Sequence, residues 1–444
     1  MNSEIFEKLH PTKLFFRLAI PSMVTMVFGA LYQIADGIFV GKYVGQDALA
    51  AINIIMPILM MVFGLSNMVA SGTSVNCSIL LGEKKREEAS RFFSFSLCFI
   101  FTLSCVMGIF GFLFAEPFIR MISPGASEQS IFYGVEYLKI NAAFMPLVLL
   151  FFAMDNYLRV CGKEKLSMWL GIVTQVLNIV LDVILVAGMG YGIRAVALTS
   201  CVSMALGSVV TLFSFRKKKL DLYYNFGKIK LRKFFRILAN GFSEFFSNIS
   251  MSIMSVVLNL FLLKYGGTVA VAAFSVVMYV DSVIGMMSFG MCDALQPAIS
   301  YCYGAKQMKR VRAIFNRVLI AAVITSLLAF LFMLFCGPSV VPIFIKEGDK
   351  ELLAVSIIAT KLFSFSYVFG WIDMCFSSLF TSLDQPGKSF LISLFGTLIF
   401  PIGFLFVLPL FLELSGVWLM PAAACTASGI FTLALTFLSK PLKD

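Results

Sequence analysis

The first long apolar stretch of the chain, residues 14–40, reads LFFRLAIPSMVTMVFGALYQIADGIFV and contains one acidic residue, Asp36. A carboxylate inside a membrane-crossing segment is costly unless it is neutralised, paired or hydrated, so such residues mark functional sites. Gly37, Gly41 and Gly45 follow at four-residue spacing, which lets a neighbouring helix approach closely. We therefore take Asp36 as the first candidate site residue and the glycine row as a packing surface.

Composition places this stretch in a polytopic membrane protein. The 444 residues are 59% hydrophobic and only 13% charged, and apolar runs of the roughly 20 residues needed to cross a bilayer recur from end to end. This pattern predicts an all-α membrane protein with twelve transmembrane helices. The predicted spans lie near residues 14–40, 48–81, 92–114, 133–158, 168–189, 193–215, 234–263, 268–303, 315–336, 352–383, 390–412 and 416–438.

The net charge of +11 reflects membrane topology. Most Lys and Arg residues fall in every second loop, in clusters near residues 8–17, 84–91, 159–165, 216–236 and 306–317, and after residue 388. Cytoplasmic loops of membrane proteins carry such an excess of Lys and Arg. We therefore expect both termini in the cytoplasm of a bacterial inner (plasma) membrane protein, and no nucleic-acid partner.

The chain also repeats itself at an offset of 222 residues. Residues 43–45, YVG, correspond to residues 265–267, YGG, and residues 78–84, SILLGEK, correspond to residues 300–306, SYCYGAK. Because each half has an even number of spans, both halves enter the membrane from the same side and the repeat is parallel. We predict an N-lobe of six spans at 1–215, a basic linker at 216–233 and a C-lobe of six spans at 234–444, with a binding site near the membrane midplane.

Polar residues of the first half are predicted to gather around Asp36. Asn178 and Asp182 are four residues apart and share one helix face. Thr199 and Tyr137 fall at similar depths of neighbouring spans when residues are counted at about 1.5 Å each. Two carboxylates that meet without a cation repel each other, and binding one proton removes that repulsion. This cluster is therefore the predicted ion-coupling site, with Na⁺ as the alternative occupant of the same acids.

The second half carries different acids. Glu244 and Asp373 are predicted to lie at matching depth, and Asp281 near the middle of the eighth span. None of these positions repeats the acids of the first half, so the scaffold is duplicated but its chemistry is not. An acidic site in this setting suits a small cation or an organic cation that also stacks on aromatic rings.

Other charged pairs and reactive residues have simpler interpretations. Asp155 and Arg159 are spaced for an i,i+4 ion pair, and Glu136 and Lys139 for an i,i+3 pair. The ten cysteines show no CxxC motif, and the single histidine, His10, lies before the first span. The chain therefore lacks the residues of a histidine metal site or a histidine-activated nucleophile, and we expect neither an enzyme nor a cofactor.

At this point the sequence resembles the multidrug and toxic-compound extrusion (MATE) family, in particular its bacterial MepA-like branch. The features that carry the resemblance are the twelve spans, the six-plus-six repeat and four short motifs. These motifs are Ile20-Pro21, the stretch QIAD at 33–36 followed by Val40-Gly41, Asn178 with Asp182, and the stretch QPGK at 385–388.

The resemblance implies a secondary transporter that exports amphipathic, mostly cationic compounds in exchange for H⁺ or Na⁺. The family's ion-coupling positions in the N-lobe map to Asp36, Asn178, Asp182 and Thr199, and to Tyr137. Its cation positions in the C-lobe resemble Glu244 and Asp373. We expect a monomer in a lipid bilayer that contributes to xenobiotic transport and antibiotic resistance.

The alternative function is a lipid-linked sugar flippase of the wider superfamily. Such a protein should present Arg or Lys to a pyrophosphate, whereas the charged residues within the spans here are mainly acidic. Lys361 is the exception.

Overall fold

The computed structural model describes residues 2–123, 125, 127–216, 219–345, 349–439 and 441–442. Four lysines that enter the topology argument, Lys217, Lys218, Lys440 and Lys443, lie outside the described residues. Nine described helices are long and apolar enough to cross a membrane, and a bent pair of shorter helices makes a tenth.

Two of these long helical runs each contain two spans, which brings the total in the described residues to the predicted twelve. The run Leu231–Gly304 breaks at Gly267, and the run Phe400–Ser439 breaks at Glu413. We number the spans α1 to α12. They comprise α1 Pro11–Phe39, α2 Gln46–Gly82, α3 Arg86–Leu113, α4 Glu128–Val160, α5 Glu164–Asp182, α6 Gly192–Ser214, α7 231–266, α8 268–304, α9 Met308–Leu331, α10 Lys350–Ser364 with Ser366–Ser382, α11 from Pro386 to 412, and α12 414–439.

The predicted internal repeat is confirmed by the backbone. Left-handed residues, which end one helix and begin the next, recur 222 residues apart in three pairs. These pairs, with their φ angles, are Gly45 (115°) and Gly267 (63°), Lys84 (63°) and Lys306 (58°), and Gly162 (67°) and Asp384 (55°). Glycine adopts this conformation freely, whereas the lysines and Asp384 adopt it at a steric cost.

The chain forms two compact units. The first contains the residues up to Leu9, Ile20–Gly241 and Ser300–Lys306; the second contains His10–Ala19, Phe242–Ile299 and the residues from Gln307 onward. The end of α8 therefore groups with the first unit, although by sequence it belongs to the second half. The lobe boundaries predicted from sequence remain a prediction.

Within the first unit, the ends of α2 and α8 meet through glycine. A Cβ added to Gly82 would collide with the backbone oxygen of Tyr301, and one added to Gly304 would collide with that of Ile79. The two contacts are equivalent under the 222-residue offset. Small residues at both positions thus allow backbone-to-backbone packing of repeat-related helices.

The linker is held to the same unit by polar contacts. The Ser3 backbone N–H donates to Asp221 Oδ2 at 2.6 Å. The Arg86 guanidinium donates to the backbone oxygens of Leu220 and Asp221 at 2.6 and 2.9 Å. Arg86, which belongs to a basic cluster of the topology pattern, therefore also helps to hold the linker in place.

Candidate functional site

The two candidate ion-coupling acids of the first unit, Asp36 and Asp182, each lie near the end of a regular helix. Asp36 lies one turn before a π-helical segment, Val40–Val44, that extends α1. Asp182 is the last residue of α5, immediately before the π-helical segment Val183–Gly188. Val40, Val186 and Tyr137 are buried in one apolar cluster. Packing of these segments brings the two acids to the same end of the unit, and π-helical turns are frequent at functional sites.

Asp182 is surrounded by hydrogen-bond donors. Its side chain is 1% exposed, and Thr199 donates its hydroxyl to Oδ1 at 2.5 Å. Both the nitrogen and the oxygen of the Asn178 amide have hydrogen-bond partners in one orientation. The nitrogen then donates to Asp182 Oδ2 at 3.1 Å and the oxygen accepts from Ser200. The structure thus brings Asn178, Asp182 and Thr199 together, as their spacing predicted. Donors at both oxygens stabilise this carboxylate.

Asp36 lies in a contrasting environment. Its Oδ1 atom is buried and has no hydrogen-bond partner among the described residues. The charged group that acts on Asp36 is Asp182, and both carboxylates also act on the buried Tyr137 and the half-buried Tyr32. A buried carboxylate oxygen without a donor, facing a second carboxylate, is costly until a cation or proton is bound.

Sequence reasoning missed two members of this network. The hydroxyls of Tyr32 and Ser200 are 3.0 Å apart, and Ser200 also bonds the Asn178 side chain. The signal for Tyr32 was its position four residues before Asp36, which places both on one face of α1. Ser200 directly follows Thr199, and only the packing of α1 against α6 reveals its role.

The acids of the second unit form a separate group. Tyr367 donates its hydroxyl to Asp281 Oδ1 at 2.5 Å, and Thr432 donates to Asp373 Oδ1 at 2.6 Å. Cys425 lies within electrostatic range of both acids. Glu244 lies on α7, where its backbone oxygen accepts from Asn248, and its matching depth with Asp373 remains a prediction.

The two predicted ion pairs have different outcomes. The pair between Asp155 and Arg159 is confirmed at 2.7 Å. The pair between Glu136 and Lys139 is wrong, because Glu136 bonds Arg194 of α6 at 2.5 Å. Lys139 instead lies over the ring of Phe112. The ion-pair partner of Glu136 is thus Arg194 on a neighbouring helix, and not Lys139 on its own helix.

No group of three or more His, Cys, Asp or Glu side chains in the described part of the chain could hold a metal ion. The oxygen atoms of Asp182, Thr199 and Asn178 are nevertheless hard donors that suit a proton or an alkali cation.

The model of the MatE family matches residues 21–184 and 245–407. The chain belongs to the MatE family. Its members are transporters, so the chain is a multi-pass membrane transporter and not an enzyme. The two matched segments contain Asp36 and Asp182 in the first half, and Asp281 and Asp373 in the second. Glu244 lies one residue before the second segment.

Curated MatE relatives include the Multidrug export protein MepA of two staphylococci. The protein of Staphylococcus haemolyticus is 25% identical over 93% of this chain and 90% of its own length. That of Staphylococcus saprophyticus is 24% identical over 98% of this chain and 95% of its own length.

Solved structures confirm the two-lobe, twelve-helix MatE fold. A crystal structure of MATE in complex with MaL6 aligns with a TM-score of 0.93 at 24% identity, covering 99% of both chains. A MOP superfamily transporter from Pyrococcus furiosus aligns with a TM-score of 0.92 at 23% identity, covering 100% of this chain and 99% of its own. The reversed polarity of the binding pocket in that transporter suggests a different function for it.

Proposed function

We propose that this MatE protein exports amphipathic, cationic compounds across a bacterial plasma membrane in exchange for H⁺. The observation that carries the proposal is the pairing of Asp36 with Asp182. One oxygen of Asp36 is buried without a partner, and the charge acting on Asp36 is another carboxylate. Such a pair binds a positive charge to lower its energy, and a proton is the smallest that fits.

The two acids have different roles in this proposal. Thr199 and Asn178 donate to Asp182, so this carboxylate stays charged and sets the local field. Asp36 lacks such donors on Oδ1 and is the group that takes up and releases the proton. Na⁺ at the same oxygens is the alternative, and a gradient experiment separates the two ions.

Proton binding is coupled to movement through α1 in this proposal. Pro21 lies inside this helix and has no N–H to donate to the backbone oxygen of Arg17, one turn earlier. Thr25 donates its hydroxyl to the Pro21 backbone oxygen at 2.9 Å. A helix that has lost one backbone hydrogen bond bends at low cost. Protonation of Asp36 would remove the repulsion from Asp182, let α1 rearrange around Pro21, and favour release of a cationic compound during alternating access.

The acids of the second unit are suited to binding the exported cationic compound. Asp281 accepts a hydrogen bond from Tyr367, which packs against an apolar cluster that includes Trp418, Phe274 and Met278. Aromatic faces and methionine sulfur adapt to varied apolar shapes, and a carboxylate beside them selects positive charge. The relatives named as multidrug export proteins agree with this class of cargo.

A second candidate is a flippase for lipid-linked sugars, favoured by Lys361. This lysine is exposed on α10 about 16 Å along the helix from its start at Lys350, at 1.5 Å per residue. A cation there could receive a pyrophosphate. Because acidic residues outnumber Lys361 within the spans, we favour the export of cationic compounds.

The test is ethidium efflux from vesicles under an imposed pH gradient or an imposed Na⁺ gradient, each applied alone. We expect efflux driven by the pH gradient alone and abolished in Asp36→Asn. The control is Asp47→Asn, because Asp47 accepts hydrogen bonds from Ser127 and Ser130 at the start of α2 and lies outside the pair. Efflux that requires the Na⁺ gradient would show that Na⁺, and not H⁺, is the coupling ion. Absence of efflux under either gradient would favour the flippase.

A further inference from the structure

A small cavity lies inside the first unit, one turn deeper than the acid pair. Its volume is about 10 Å³, which is about the least that accommodates one water molecule. Six polar residues and one methionine line it. The polar residues are Tyr32, Thr174, Gln175, Asn178, Ser200 and Ser203.

Two oxygens in the cavity wall need a hydrogen-bond partner. Gln175 Oε1 and Ser203 Oγ are buried, and neither has a partner among the described residues. Ser203 is only 1% exposed. Buried polar atoms are almost always satisfied by protein or by ordered water. One water molecule in a cavity of this size would give both oxygens a hydrogen-bond donor.

The cavity shares wall residues with the hydrogen-bond network that reaches Asp182. Its wall includes Tyr32 and Ser200, whose hydroxyls are 3.0 Å apart, and Asn178, which joins Ser200 to Asp182. Gln175 lies seven residues before Asp182 on α5, or about 10 Å deeper at 1.5 Å per residue. In the predicted topology, this direction leads to the cytoplasm.

The buried face of α5 continues the polar path in that direction. Every buried residue of this helix is polar or glycine; in order they are Glu164, Ser167, Gly171, Thr174, Asn178 and Asp182. The valines of the same helix point away, since Val173, Val176 and Val180 are 57%, 47% and 46% exposed. A helix that buries its polar face and exposes its apolar face to lipid encloses a polar pathway.

We propose that the cavity holds one water molecule, positioned by Gln175 and Ser203, through which the proton leaves the acid pair toward the cytoplasm inside this unit. The proposal rests on proton coupling at Asp36. The carboxylic acid gives its proton to the Tyr32 oxygen while the Tyr32 hydroxyl gives its own to the water. Tyr32 is thus unchanged and the water departs as hydronium. The titratable groups facing this network are Asp36 and Tyr32 of α1, Tyr137 of α4, Asp182 of α5 and Cys201 of α6. Helix α6 also contributes the neutral Thr199 and Ser200.

The test uses the full chain in proteoliposomes with a pH-sensitive dye inside. Proton movement during ethidium exchange is measured in parallel with equilibrium ethidium binding for Gln175→Leu and Ser203→Ala. We expect proton movement to slow roughly three- to tenfold, the rate equivalent of about one hydrogen bond, with ethidium affinity unchanged. Ser203→Thr keeps the hydroxyl and should retain most of the rate.

The matched control is Ser104→Ala, a buried serine of α3 whose hydroxyl donates to the backbone oxygen of Phe101. Wild-type proton movement in both Gln175→Leu and Ser203→Ala, with Asp36→Asn inactive, would overturn the relay and leave proton coupling intact. Equal slowing in Ser203→Ala, Ser203→Thr and Ser104→Ala would assign the effect to packing and also overturn the relay. Absence of proton movement in the wild type would overturn proton coupling itself, and the relay with it.

Discussion

At the residue scale, the first unit distinguishes two carboxylates by their donors. Asp182 receives hydrogen bonds from Thr199 and Asn178, whereas a buried oxygen of Asp36 receives none from the described residues. Hydrogen bonds to a charged group are worth about 1.5–3 kcal/mol each. Donor placement thus underlies the proposed division between an acid that stays charged and one that exchanges a proton.

Thr199→Val tests this division of roles. Valine has nearly the shape of threonine but cannot donate to Asp182 Oδ1, so the charged form of Asp182 loses one donor. We expect efflux driven by the pH gradient to fall roughly 10- to 100-fold, the equivalent of one hydrogen bond to a charged group. Thr199→Ser keeps the donor and is the control; equal efflux in both variants would contradict the assignment.

At the element scale, glycine controls how closely helices approach. Gly82 and Gly304 each lie against the backbone of the opposite helix in the contact between α2 and α8. A methyl group at either position forces two backbones apart, because no flexible side chain can yield. Repeat-related glycines therefore contribute to packing in a way that hydropathy alone does not reveal.

Gly304→Ala should destabilise the protein by about 1–3 kcal/mol, the usual cost of overpacking. The measurement is the thermal unfolding midpoint in detergent. Gly403→Ala is the matched control, because nothing lies within 4 Å of a Cβ added at Gly403 and alanine favours a helix over glycine. A midpoint for Gly304→Ala equal to that of Gly403→Ala would show that the helices separate without cost.

At the scale of the whole molecule, the scaffold repeats but the acids do not. Left-handed turns recur 222 residues apart, whereas the hydrogen bonds of Asp281 and Asp373 have no counterpart in the first half at that offset. Duplication therefore produced a common framework, and substitution within it separated the predicted ion site from the predicted cargo site.

Asp281→Asn should separate cargo binding from ion coupling. We expect ethidium affinity to fall about tenfold, since one charge near an organic cation is lost, while proton movement at Asp36 persists. The measurements are ethidium binding and dye-reported proton movement on the same preparation. Tyr367→Phe, which removes the hydroxyl bonded to Asp281, is the companion variant and keeps the charge. Loss of proton movement in Asp281→Asn with unchanged ethidium binding would reverse the roles of the two units.

The sequence alone determined the membrane class, the twelve spans, the duplication and the acids, because hydropathy and short-range spacing express local physics. It also predicted that Asn178 and Asp182 share a face and that Asp155 pairs with Arg159, since both follow from the period of one helix. Only the tertiary structure joined Ser200 to Tyr32 and to Asn178, paired Glu136 with Arg194 and brought the Tyr367 hydroxyl to Asp281. Each of these contacts joins different helices, and their rotation and depth are decided by packing of the whole unit, which no local pattern encodes.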